Sequence, residues 1–314
     1  MAHEHDYSHE GHDHAEMDEE QWQDYLGTFV KAGEICRQAK EKALGIAKPG
    51  VKLLDLAEGI EAHINELGGK PAFPVNLSAN NRAAHYTPAA DDASVVGEKD
   101  LLKIDFGVHI DGCLVDNSVT VDFSGENGKL VDAAEEALEN ALGVMKAGLN
   151  TADVGREIEE TVRKHGFKPI ENLCGHSIMP WQLHAGVEVP NVGNHGGVPL
   201  EEGMVYAVEP FVSTGVGRVK DDPTFCEIYS IADPKPVRLP ASRKVLELVV
   251  EEYQTLPFAK RWLQEVPMLQ MAISDLQRQG VLHGYNILQE APGTLVSQAE
   301  TSVIVEEDGV KVLV

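Results

Sequence analysis

The segment IDFGVHIDGCLVDNSVTVDF (104–123) sets Asp105, Asp111, Asp116 and Asp122 among apolar and β-branched residues. Burying an unpaired charge in such surroundings is costly, so acids placed there need partners. Asp111-Gly112 is a strong two-residue turn signal. The segment therefore reads as a β-hairpin, with side chains alternating between its faces. Counting outward from the turn, Asp105 and Asp116 project from the same face as diagonal neighbours, about 7 Å or less apart at Cβ. Asp111 belongs to the turn and Asp122 to a strand end. Two carboxylates that close repel strongly unless they share a proton or a cation.

A shared proton is the solution of the paired-aspartate proteases, but the rest of the chain favours a shared metal. Glu209 in VYAVEPFVSTG (205–215) and Glu300 in LVSQAETSVIVEEDGVKVLV (295–314) are further acids inside strand-like apolar runs, and the second run turns at a DG pair. His176 lies in LCGHSI and His184 in WQLHAG. Four carboxylates and one imidazole match the charge of two divalent ions. The oxygen donors suit Mn, Fe or Co, and the single imidazole admits Zn. Two ions about 3.5–4 Å apart, sharing bridging carboxylates, form a site suited to hydrolysis.

The elements that position these residues show an internal duplication. WQDYLGTFVKAGEICRQAKEKALGIA (22–47) has helical spacing and stops at Lys48-Pro49-Gly50, and a second helix, KLLDLAEGIEAHINELGG (52–69), follows. After PAFPVNLSANNRAAHYTPAADD, loop-like at both ends, and the hairpin, a helix over 128–148 ends at Gly148. Another follows over 151–166, with Thr151 as N-cap and Gly166 as the C′ residue. Shifted by 98 positions, Lys48, Gly50, Asp55, Ile60, Glu61, Gly68, Lys70 and Pro71 coincide with Lys146, Gly148, Asp153, Ile158, Glu159, Gly166, Lys168 and Pro169. Each half then runs an apolar strand into one acid, Asp105 or Glu209.

Composition narrows the class. With 314 residues and 43% hydrophobic content the chain can bury a sizeable core, and its formal net charge of -25 opposes binding to nucleic acid. An acidic surface of this kind also suits a salt-rich cytoplasm. Four scattered cysteines without a CxxC pair fit reduced thiols in a cytoplasmic protein. No apolar run is long enough for a membrane span, and no signal-peptide pattern is visible. Residues 1–20, rich in His and acids, read as a disordered, solvated extension rather than a metal scavenger. The catalytic domain is expected over 21–314.

AFPVNLSANNRAAHYTP (72–88), KIDFGVHIDGCLVDNSVTV (103–121), NLCGHSIMPWQLHAG (172–186), VYAVEPFVSTG and the final AETSVIV together resemble the type 2 methionine aminopeptidases of archaea, in order and from about residue 21 onward. The resemblance implies an α/β pita-bread fold of two pseudo-symmetric helix–helix–strand halves. Residues from about 234 to 292, including RKVLELVVEEYQTLPFAKRWL and MLQMAISDLQRQ, correspond to the helical insert of type 2 enzymes. It further implies two divalent ions (Co, Mn, Fe or Zn) held by Asp105, Asp116, His176, Glu209 and Glu300, with Asp116 and Glu300 bridging. His184 would contact the scissile peptide and Glu209 would shuttle a proton. His85 would stand at the entrance of a methionine pocket formed with Phe73, Leu183 and Phe211.

The implied activity is removal of the initiator methionine from nascent chains and peptides whose second residue is small, by water activated between the two ions. The expected setting is a cytoplasmic monomer meeting nascent N-termini near the ribosome, without membrane or direct nucleic-acid contact. The family usually reads QFEHT around the last ligand where this chain has QAETS, and Ala299 and Thr301 in place of Phe and His are expected either to loosen the wall of the substrate pocket or to shift substrate preference. Two rival readings are an aminopeptidase P or prolidase on the same fold, and a catalytically inactive pita-bread binding protein.

Overall fold

The computed structural model describes residues 19–193 and 196–314, so the expectation for residues 1–20 lies outside the described residues for all but its last two positions. Six α-helices occur among them: α1 (Glu19–Ile46), α2 (Leu53–Glu66), α3 (Gly128–Val144), α4 (Thr151–Lys164), α5 (Pro240–Glu252) and α6 (Leu269–Arg278). None is long and apolar enough to cross a membrane.

A nine-stranded sheet forms the centre of the molecule. Its main path runs Lys70–Pro71, Leu101–Ile110, Cys113–Asp122, Glu300–Glu306, Val205–Val208, Cys174–Ile178 and Glu188–Pro190. Every neighbouring pair along that path is antiparallel. The hairpin forms in the expected register, with Ile110 opposite Cys113 and Gly107 opposite Asp116. Asp111 and Gly112 both take positive φ, 48° and 86°, which the tight hairpin turn requires. At Gly112 a Cβ would also strike the indole of Trp181, 2.3 Å from Nε1.

The helices cover the back of this sheet in two sets. Phe29 and Cys36 of α1 and Leu56 and Ile60 of α2 pack with Leu102, Ile104 and Phe106. Leu130 and Ala137 of α3 and Val154 and Ile158 of α4 pack with Tyr206, Val208 and Val303. Helices α2 and α4 are offset by 98 residues at both ends. Gly50 and Gly148, and Gly68 and Gly166, share positive φ. The two-residue strands Lys70–Pro71 and Lys168–Pro169 repeat the relation.

The duplication continues into the strands that carry the acids. Lys70 pairs with His109 and Lys168 with Ser213. Four residues before each partner stand Asp105 and Glu209. The halves differ at Pro210, which has no N–H for a ladder and splits the second strand into Val205–Val208 and Phe211–Ser213.

Several local expectations change. Asn150, not Thr151, caps α4, because its side chain accepts from the Ala152 N–H while Thr151 is already helical. Helix α3 stops at Val144, since Met145 is extended (ψ 131°) and the Ala147 N–H turns to Glu306 O. The stretch before the hairpin, expected to be loop-like at both ends, holds two strands in its middle, Asn76–Ala79 and Arg82–Ala84, joined at Asn80 with φ 58°. Helical spacing expected across 243–263 holds only to Glu252; Gln254 takes φ 52°, and a strand at Phe258–Ala259 and a 3-10 turn at Lys260–Leu263 follow. This segment packs an apolar cluster of its own, running from Tyr229 to Leu282 and including Val245, Ile273 and Leu276.

Candidate metal centre

Five adjacent strands each deliver one of the expected ligands to the face of the sheet opposite the helices. In order across the sheet these are Asp105, Asp116, Glu300, Glu209 (directly after Val208) and His176. Asp105 and Asp116 come from the first half and Glu300, Glu209 and His176 from the rest of the chain, so the centre exists only when both contribute to one sheet. Asp116, His176 and Glu300 are buried, and one ligand atom from each lies within 4.8 Å of the others. His176 Nε2 is 3.6 Å from Asp116 Oδ2 and 4.0 Å from Glu209 Oε1.

The electrostatics are those of a cation site. Burial raises the Asp105, Glu209 and Glu300 carboxyls well above their usual range, and the Asp116 charge raises each further. Oδ1 of Asp105, Oδ1 of Asp116 and Oε1 of Glu300 are buried with no hydrogen-bond donor. Buried acceptors are nearly always satisfied, so three orphaned carboxylate oxygens beside one imidazole fit divalent ions. Gln298, which the sequence reading missed, donates from Nε2 to Glu209 Oε2 and to Glu300 Oε2, both at 3.2 Å. Its position two residues before Glu300, and so on the same face, was the available signal.

The ligands line a cavity of about 350 Å³ that also takes in His85, His184, Phe73, Leu183 and Phe211. Ala84, Ile228, Pro257 and Leu288 add apolar wall, and Tyr285 and Asn76 add polar groups. Gly107 makes room for Phe73: a Cβ there would fall 2.7 Å from the phenyl ring. His85 holds φ 68°, an uncommon value for a residue with a Cβ, and its Nδ1 lies 3.1 Å from Asn286 O. The Nδ1–H tautomer follows from that contact and leaves Nε2 free of it.

Burial lowers the His85 pKa. The His184 ring stands edge-to-face on His176 with centroids 4.2 Å apart. Although its outer edge is open to solvent, the packed surroundings, then His176 and His85, hold its pKa below the usual value. Both rings are therefore neutral near pH 7 and act as hydrogen-bonding groups rather than cations.

Ala299 and Thr301 do not border this cavity. They alternate with Gln298 and Glu300 and face the helix-covered side, where they line a second cavity with Lys40, Glu135 and Leu138. Thr301 Oγ1 donates to Val314 O at 2.9 Å. The expectation that they alter the substrate wall is corrected by side-chain alternation alone.

Comparison with known proteins agrees with this geometry. Metallopeptidase family M24 matches residues 28–238. The methionine aminopeptidase of Pyrococcus horikoshii is 49% identical over 288 residues, covering 90% of this chain and 97% of its own. The structure of a thermophilic Arx1 superimposes with a TM-score of 0.83 at 20% identity, covering 92% of this chain and 90% of its own. Methionine aminopeptidase from Thermotoga maritima gives a TM-score of 0.68 at 23% identity, covering 92% and 96%. The two structures speak to the pita-bread fold, and the sequence relative carries the family. The chain belongs to metallopeptidase family M24, within its archaeal methionine aminopeptidases.

Proposed function

We propose that this chain is a metal-dependent methionyl aminopeptidase that removes the initiator methionine from nascent chains and peptides with a small second residue. The observation that carries the reading is the convergence of four carboxylates and one imidazole, with unpartnered buried oxygens, on the floor of an apolar-walled cavity. Asp105, Asp116, His176, Glu209 and Glu300 would hold two divalent ions of the Co, Mn, Fe or Zn kind. Such ions lower the pKa of a water and polarise the scissile carbonyl.

The remaining work falls to side chains. Glu209 takes the proton of the attacking water and passes it to the departing amine. Neutral His184 donates a hydrogen bond to the carbonyl oxygen as negative charge develops there. His85, fixed through Nδ1, stands with Phe73, Leu183 and Phe211 around the first side chain, and their apolar surfaces suit the unbranched thioether of methionine. The preference for a small second residue and assignment to type 2, with 234–292 as the insert, follow the family resemblance. A monomeric state and encounter with nascent chains near the ribosome belong to the same reading, and the scattered cysteines without a CxxC pair support a cytoplasmic location. Residues 1–20 are proposed to be dispensable for catalysis.

The test sets Met-Ala-Ser against N-acetyl-Met-Ala-Ser and an Xaa-Pro dipeptide, using chelated protein resupplied with each metal. Methionine should be released from the first peptide only. Cleavage confined to the Xaa-Pro peptide would favour the aminopeptidase P or prolidase reading, and no cleavage with any metal would favour the inactive binding protein.

A further inference from the structure

We propose that Asn76 recognises the free α-amine of the substrate and so helps confine cleavage to chain ends. This deepens the aminopeptidase reading and rests on it. Asn76 opens the strand Asn76–Ala79 and stands directly opposite Asp105 in the ladder. Side chains at such positions share a face, about 4.5–5.5 Å apart at Cβ. Asn76 lines the cavity with the metal ligands and is only 4% exposed.

Its amide is oriented by the backbone. Nδ2 donates to Pro74 O at 2.8 Å. The flipped amide would set two carbonyl oxygens against each other, so this orientation follows from the donors and acceptors present. Oδ1 is then turned away from Pro74, and no donor meets it among the described residues.

The missing donor does not come from the cavity floor. Asp105, Asp116, Glu209 and Glu300 surround the site, and as ligands of divalent ions they are ionised and only accept. Among its neighbours there, Asp105 Oδ1 is orphaned in the same way. An incoming peptide brings N–H groups, and the α-amine alone offers more than one from a single atom. An interior stretch of chain would present a planar amide with a single N–H at that place. Asn76 Oδ1 thus gains its partner in full only from a chain end.

The test measures binding to the metal-loaded protein by calorimetry, with L-methionine amide and its des-amino counterpart 4-(methylthio)butanamide as probes. Wild type should prefer the amine-bearing ligand. Asn76→Ala should lose about tenfold or more of its affinity for methionine amide and none for the des-amino compound, with metal content and Tm unchanged. Asn76→Asp, which keeps an acceptor oxygen, should retain the preference, and KM for Met-Ala-Ser should rise in Asn76→Ala with little change in kcat. Asn76→Leu is read in the same way if the alanine variant does not fold. Equal weakening of both ligands, or altered metal stoichiometry with the amine preference intact, overturns the proposal. A wild-type protein that shows no amine preference overturns the aminopeptidase reading as well, which separates the two failures.

Discussion

Asp105 and Asp116 stand on one face of a hairpin, each with a buried oxygen that no donor reaches. Gln298 relieves part of the resulting strain by bonding to Glu209 and Glu300 together. Groups that orient ligands in this way typically cost about 10–100-fold in metal affinity when removed. Gln298→Ala should therefore weaken metal binding by about that factor in a competitive metal titration; unchanged affinity would show that the amide only fills space. The carboxylate pair was legible in the sequence because the period of a strand is two and the turn residues set its origin. Asn76 was not legible, because an amide in a strand carries no electrostatic signal, and Gln298 was marked only by sharing the alternation of Glu300. Ala299 and Thr301 were legible but misread, since the same alternation that paired the acids places them on the opposite face.

At the scale of elements, the 98-residue repeat foretold both helix pairs and the equivalence of Asp105 with Glu209. It could not show that Pro210 breaks the second strand into two sheets. The tip of the hairpin carries its own titration. His109 Nδ1 accepts from the Gly112 N–H at 3.3 Å, while burial and then the Lys70 ammonium hold its pKa down to about 4, with Asp111 opposing. A histidine depressed in the folded state is protonated more readily when unfolded. Its contribution is therefore complete above its ordinary value of 6.5 and is lost as pH falls from there through about 4. The full loss is about 3 kcal/mol. Chemical denaturation at pH 7 and at pH 5 should show a smaller drop in stability for His109→Gln than for wild type. An equal drop would place the effect elsewhere.

The segment after residue 228 is tied to the first half by a buried ion pair. Arg261 bonds to Glu61 of α2, and its Nη1 donates to Thr87 Oγ1 at 2.7 Å, two residues from His85. Trp262 Nε1 donates to the other oxygen of Glu61 at 2.9 Å. Removing one partner of a buried pair leaves a charge without compensation and costs about 3–5 kcal/mol. Arg261→Ala should lose about that much in urea denaturation, and a loss below about 1 kcal/mol would mean that water reaches Glu61 freely. Neither residue could be paired from sequence, since 200 positions separate them.

For the whole molecule, two properties act together: a formal net charge of -25 and a fold shared with proteins of other kinds. Self-repulsion at that charge is screened as the Debye length shrinks from about 10 Å at 0.1 M salt to about 3 Å at 1 M. Tm should rise across that range, and a flat or falling Tm would show that the surface charges are already balanced locally. The fold was legible as two halves, but its superposition on a thermophilic Arx1 only 20% identical shows that architecture alone does not identify an activity. The relative that is 49% identical over most of the chain supplies the distinction. The most direct measurement is methionine release from Met-Ala-Ser by chelated protein resupplied with Mn, Fe, Co or Zn, run beside Asp116→Ala and Glu209→Ala. Metal should restore release in wild type and leave both variants at least about 100-fold slower in kcat/KM; full activity in either variant, or none in wild type with any metal, would contradict the account.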